Sequence, residues 1–369
     1  MKLVEFVPPV PHPLWKLCLQ MGITDVVVKV NPSLTGLADP WRYETLASIV
    51  SRLKAAGLTV VGLEGDPFDM APIKEFGAGV FSTELTEFTG IGDCGNRVNP
   101  VNPVKNGKEL REEAFAHYRE LLESMGRLGI HLLCYNFMVG TGWARTGVRE
   151  GRGGAKATYF SLAETPETPL LLSADKVWAN YETFIKAVMP TAERCGVRMG
   201  LHPDDPCLPS LGGFARIFGS VEAYDRAYAL YPSPSNAVTF CQANFKLMLG
   251  NGKWGMGNGP ELSTLNSQLL TLENVARHFR DRIAFIHVRD VEGTKEDFVE
   301  LFHDQGTTDQ FALMRVYREL GLDVPLRGDH VPEMEGDRIL DADCLPGYFT
   351  MGRLFANGFL KALLLATNH

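Results

Sequence analysis

Short, apolar, β-branched runs alternate with longer amphipathic stretches along the whole chain. The runs are Leu3–Val7, Asp25–Val30, Thr59–Leu63, His131–Asn136, Arg198–His202, Ala237–Cys241, Ile283–Val288 and Pro325–Arg327. Most are a few residues long and bounded by Gly, Pro or Asn, the pattern of strands buried on both faces of a parallel sheet. Between them apolar residues recur at helical spacing. In Trp41–Gly57, for example, Leu46, Ile49, Val50 and Leu53 share one face and Gly57 supplies the stop. The same reading predicts helices over Pro13–Gly22, Glu109–Leu128, Lys176–Cys195, Ser210–Tyr231, Leu262–Phe279, Asp309–Leu320 and Phe349–Leu365.

Three helices run out in one idiom: AAGLTVVGL, RLGIHLLCYN and RCGVRMGLHP. A glycine closes each helix and a strand follows almost at once, the short connection of a repeating β/α unit. Eight strands and eight helices predict a single α/β domain, a (β/α)8 TIM barrel spanning residues 1–369. The alternative, a doubly wound open sheet, lacks a G-x-G-x-x-G after the first strand. Surplus length collects after strands, at about 82–108, 139–174 and 250–261. In a barrel those loops share the C-terminal face, so they are expected to wall one pocket.

Composition narrows the function. The chain has 369 residues, 45% of them hydrophobic and 22% charged, as a globular protein has. A formal charge of −8 argues against a nucleic-acid partner, which needs a basic face. No run of about 18 apolar residues is present, so no membrane partner is expected. The first residues, MKLVEFVPPVPHPLW, do not read as a secretory leader, and the seven cysteines form no C-x-x-C pair. A cytoplasmic protein with reduced thiols is the expectation. A symmetric homo-oligomer is the default for enzymes of this size.

Ligand-type side chains then fall into a register. His202 ends RMGLH, Cys241 ends AVTFC, His287 sits near the end of IAFIHV, and Asp329 follows PLRG. They close the fifth to eighth strands at intervals of 39, 46 and 42 residues, one β/α unit apiece. On a barrel rim these four would converge on one point. Two imidazoles, a thiolate and a carboxylate suit Mn²⁺ or Fe²⁺, with Co²⁺ or Zn²⁺ also compatible, over the oxygen-preferring Mg²⁺.

At these residues the chain resembles the D-mannonate dehydratases, metal-dependent sugar-acid dehydratases with a barrel related to xylose isomerase. The resemblance rests on LLCYNFM with GWART, VRMGLHPDDP, TFC, IHVRD, DH and PGYFTMGRL, running in order from residue 132 to residue 354. HPDDP and PGY-x-x-x-GR are its specific blocks. It implies metal ligation by His202, Cys241, His287 and Asp329, the set already singled out by strand counting. It departs on the substrate side: VKVNPSLTG stands for H-H-I-P-x-G, FMVGTGW for F-M-P-x-x-D-W, and DHVPE for D-H-G-H.

The implied chemistry removes the C2 proton of an aldonate and expels the C3 hydroxyl, giving a 2-keto-3-deoxy acid. His330, Tyr348 and Arg289 are the catalytic candidates, His330 and Tyr348 for acid–base work. Arg289, Arg145 and Arg353 are candidates for gripping the small-molecule acid's carboxylate. Asn136 and Trp143 are expected to line the pocket. Asp204 and Asp205 either order a ligand histidine or cap the next helix. A sugar isomerase or epimerase of the xylose isomerase type competes, although such sites hold metal with several carboxylates. A non-catalytic barrel that binds a sugar acid is the remaining alternative.

Overall fold

The computed structural model describes residues 1–32, 36–78, 91–92, 107–250, 271–342 and 344–367. Eight strand positions close into a parallel barrel: β1 (Lys2–Leu3 with Glu5–Val7), β2 (Asp25–Lys29), β3 (Thr59–Glu64), β4 (Leu132–Asn136), β5 (Arg198–His202), β6 (Asn236–Cys241), β7 (Ile283–Val288) and β8 (Pro325–Gly328). Closure is made by the two pieces of β1. Lys2 and Leu3 pair with Pro325 and Leu326 of β8, and Glu5–Val7 pair with Val26–Val28 of β2.

Alternate side chains of each strand divide the core. A small inner cluster that includes Val4, Phe6, Val27, Leu132, Cys134, Ala237 and Phe285 fills the barrel. The larger cluster lies between sheet and helices, where Val26, Val28, Leu133, Leu201 and Ile286 meet Leu46, Leu121, Phe184 and Met314. The predicted stops hold: Gly57, Gly129 and Gly196 have φ of 88°, 71° and 65°, which a side chain would resist.

Two helical expectations change. Ser210–Leu211 and Phe214–Ala215 form a hairpin, turned by Gly212 and Gly213 at positive φ, and the helix starts only at Val221 with Ser220 as its cap. A helix not foreseen, Gln242–Leu249, starts directly after Cys241. Of Leu262–Phe279, the described part is helical over Leu272–His278.

The expected insertions at 82–108 and 250–261 lie almost entirely outside the described residues. The third pairs with a partner the sequence did not reveal. Gly147–Glu150 and Lys156–Ser161, from the loop after β4, join Val291–Gly293 and Asp297–Glu300, from the loop after β7, in a four-stranded antiparallel sheet. Two loops on the C-terminal face are thereby fastened together over the strand ends.

Candidate active site

Strand register sets the metal-type residues side by side. Cys241 pairs with His287 across β6 and β7, and His287 with Arg327 across β7 and β8. His202 ends β5, and Asp329 follows β8 directly. One donor atom from each of His202, Cys241, His287 and Asp329 lies within 4.8 Å of the others.

Two observations show that this set fits a cation. Both ring nitrogens of His287 are buried without a hydrogen-bond partner. They face carboxylates instead, Nδ1 at 3.6 Å from Asp329 and Nε2 at 3.6 Å from Glu64. Burial and Arg327 disfavour a charged imidazole there, yet Glu64 and Asp329 outweigh them and hold His287 well above its usual pKa. The site thus attracts positive charge, which a divalent ion would supply while leaving the imidazole neutral for ligation.

The thiol is prepared in the same way. Burial alone would raise Cys241, but Arg289, His202 and His287 bring it down from 9.0 to about 5, so it is a thiolate at neutral pH. Cys241 also stands at the N-cap of Gln242–Leu249, where backbone dipoles favour an anion. Asp329 is held far below the usual carboxylate range: burial opposes its charge, and His330, Arg327 and His287 outweigh burial. His202 uses Nδ1 on the carbonyl of Pro203, 2.8 Å away, which leaves Nε2 as the nitrogen that could bind an ion.

His202, His287 and Asp329 open onto a cavity of about 120 Å³ that Asn136, Trp143, His330 and Tyr348 also line. His330 Nε2 is 3.1 Å from the Tyr348 hydroxyl, and the Trp143 ring packs on His330 with centroids 4.7 Å apart. Asn136 Oδ1 accepts from Lys74 Nζ at 3.0 Å and from the Met138 amide at 3.0 Å.

The three arginines expected at the substrate lie elsewhere. Arg145 and Arg289 are fully buried and stand outside the cavity lining. Arg145 donates two hydrogen bonds to Asp205, at 2.7 and 3.0 Å, and another to Glu300. Arg289 donates to Asp205, Glu300 and Cys241 at 2.6, 2.5 and 3.3 Å. Arg353, on the C-terminal helix, donates to the Phe6 carbonyl at 2.7 Å and faces Glu5 at 3.5 Å, where it secures β1. Neither HPDDP aspartate caps a helix. Asp204 accepts from the Phe218 amide at 2.7 Å, and Asp205 takes the arginine pair.

Sequence reasoning missed Glu64, Lys74, Glu300 and Arg327. Glu64 closes β3 as His202 closes β5, so the strand-end rule could have found it. Arg327 donates to Glu64 at 2.7 and 3.2 Å and pairs in charge with Asp329 at 2.9 Å, holding both carboxylates toward His287. Lys29 and Lys74 bring the cavity its lysine charges, with Lys74 bonded to Asp66 at 2.7 Å. Glu300 stands in a segment with no recognisable period, and only the sheet between the loops carries it inward.

Fold and rim together define a class: a (β/α)8 barrel with a mixed nitrogen, sulfur and oxygen cluster at the C-terminal ends of β5–β8, able to hold a divalent metal. Within that class the sequence profile of D-mannonate dehydratase (UxuA) matches residues 64–170 and 161–369, and the chain belongs to that family. A mannonate dehydratase of Brachyspira hyodysenteriae is 25% identical over 381 residues, covering 93% of this chain and 91% of that protein. The crystal structure of mannonate dehydratase from Streptococcus suis serotype 2 superposes with a TM-score of 0.76 at 23% identity, covering 100% of this chain and 93% of that one. The barrel of D-psicose 3-epimerase from Clostridium cellulolyticum H10 is similar in fold, with a TM-score of 0.52 at 12% identity over the full length of both.

Proposed function

We propose that this protein dehydrates a sugar acid, D-mannonate or a related aldonate, to its 2-keto-3-deoxy acid. One observation carries the reading: the cluster of His202, Cys241, His287 and Asp329 opens, through all but the buried Cys241, onto the cavity that the His330–Tyr348 pair lines. The four would hold Mn²⁺ or Fe²⁺, whose borderline character matches imidazole and thiolate with one carboxylate, Co²⁺ and Zn²⁺ being compatible. Such an ion supplies Lewis acidity toward substrate oxygens.

The chain's own groups account for the rest. A C2–H next to a carboxylate is weakly acidic and hydroxide is a poor leaving group, so both a base and an acid are needed. His330 and Tyr348 are the acid–base pair. Asn136, Trp143 and the Lys74 ammonium engage the sugar-acid chain. Trp143 offers an apolar face, and Asn136 and Lys74 supply hydrogen bonds. Arg289 and Arg145 act through Cys241, Glu300 and His330, and Arg353 acts on β1. No described helix is long and apolar enough to cross a membrane. The described cysteines are free thiols, in keeping with a cytoplasmic enzyme, for which a homo-oligomer is the default.

The test is incubation with a panel of aldonates and Mn²⁺, scored for 2-keto-3-deoxy acid by mass and carbonyl assay. Loss of one water supports the reading. A product of unchanged mass would instead mark an isomerase or epimerase, and no product from any aldonate would overturn it.

A further inference from the structure

His330 Nδ1 is enclosed by three groups delivered from three places. Arg289, just past β7, brings Nη1 to 2.8 Å; Arg145, after β4, brings Nη2 to 3.2 Å; Glu300, from the sheet between the loops, brings Oε1 to 3.1 Å. Arg145, Arg289, Glu300 and Asp205 are each no more than 1% exposed, so water does not compete for these contacts.

A guanidinium only donates hydrogen bonds. A proton on Nδ1 would therefore point at Arg289 Nη1, a fixed donor closer to Nδ1 than Glu300 is, with the positive Arg145 guanidinium beside it. Nor does Glu300 Oε1 offer a good alternative, because it already accepts from both arginines, at 2.5 Å from Arg289 Nη1. A carboxylate oxygen has about two lone-pair directions, and both are taken. Asp205 accepts from Nη2 of Arg289 and from both Nη1 and Nη2 of Arg145, which fixes the two guanidiniums in place.

The geometry points to Arg145, Arg289 and Glu300 as a positioning unit that makes Nδ1 of His330 an acceptor and leaves its proton on Nε2. Nε2 is the nitrogen that faces the Tyr348 hydroxyl at 3.1 Å. The pair then enters the cycle with His330 donating to the Tyr348 oxygen. This orientation is opposite to that of a histidine whose Nδ1–H is held by a carboxylate and whose Nε2 takes a proton first. The assignment rests on the dehydratase reading only for what the proton is used for. The tautomer itself depends on the cluster alone.

The experiment is long-range nitrogen–proton NMR on the full chain loaded with diamagnetic Zn²⁺ and labelled with ¹⁵N-histidine, His330 being assigned by its loss in His330→Asn. Expected is a proton on Nε2 of His330 and none on Nδ1. A proton on Nδ1, alone or together with one on Nε2, overturns the inference. Glu300→Gln, which loosens both arginines, gives the second reading with D-mannonate. A fall in kcat of about tenfold to a hundredfold is expected, with KM within about twofold and metal content unchanged; an unchanged kcat overturns the positioning role. If the wild type turns over no aldonate, the functional reading fails while the tautomer is still decided by NMR.

Discussion

The Nε atom of Arg289 lies 3.3 Å from the Cys241 sulfur and 3.4 Å from a carboxylate oxygen of Asp329. One fully buried guanidinium thus faces two of the four metal-type residues, and it replaces the water that would otherwise solvate their charges. It is the strongest attraction acting on the thiol, which is why Cys241 stands near 5 although burial pushes the other way.

Removing that charge should therefore move the thiol. In metal-free protein the ultraviolet absorbance of the thiolate should titrate with a midpoint near 5, because burial raises Cys18, Cys134 and Cys207 above 9.0 and leaves them silent there. Arg289→Met should shift the midpoint upward by more than one unit. A midpoint unmoved by the substitution would separate the thiolate from Arg289.

Ligand removal should show in metal content. Cys241→Ser and His202→Ala each delete one donor from a four-residue set. Affinity should fall by more than about a hundredfold, since changing even a ligand's supporting partner costs about tenfold to a hundredfold. Elemental analysis after dialysis is the measurement, and full occupancy in both variants would dissolve the proposed site.

Acid should undo the arginine cluster. Burial opposes the charge of Glu300, yet Arg289 and Arg145 outweigh it and lower its carboxyl from 4.5 to about 2. Because the folded value is the lower one, the unfolded chain binds more protons between pH 4.5 and pH 2. The stabilisation is present above pH 4.5 and is lost as the pH falls toward 2. At about 1.4 kcal/mol per pKa unit, Glu300 contributes on the order of 3 kcal/mol at neutral pH. Denaturant unfolding should weaken across that window, and Glu300→Gln should flatten the dependence.

Two side chains that sequence reasoning placed together at the substrate should separate in their effects. Trp143 packs on His330 and lines the cavity, so Trp143→Ala should raise KM about threefold to tenfold, the scale of a lost aromatic contact. Arg353 holds the Phe6 carbonyl and Glu5. Arg353→Met should instead cost about 3 kcal/mol of stability by leaving Glu5 poorly compensated, with KM unchanged. Steady-state kinetics beside thermal unfolding distinguishes the two.

Much of the barrel was legible because period and punctuation are local properties. An apolar run of a few residues, a helical stripe and a closing glycine each follow from neighbouring residues, and all eight strand positions follow from them within a residue or two. The metal-type residues were legible for a related reason. A parallel barrel repeats one register, so a polar residue closing an apolar strand predicts its place on the rim. His202, Cys241, His287 and Asp329 could be read in that way, and Glu64 would have yielded to the same rule.

Tertiary structure decided what depends on pairing between distant loops. Nothing near Glu300 announces that its strand will lie beside Lys156–Ser161 and carry it to His330. An arginine's sequence context likewise cannot say whether its fork meets a substrate or a buried carboxylate. By itself the sequence determined the barrel, its stops and the rim register. Folding determined that Arg145 and Arg289 close on Asp205 and Glu300, because there two long side chains find carboxylates that offset the cost of leaving water.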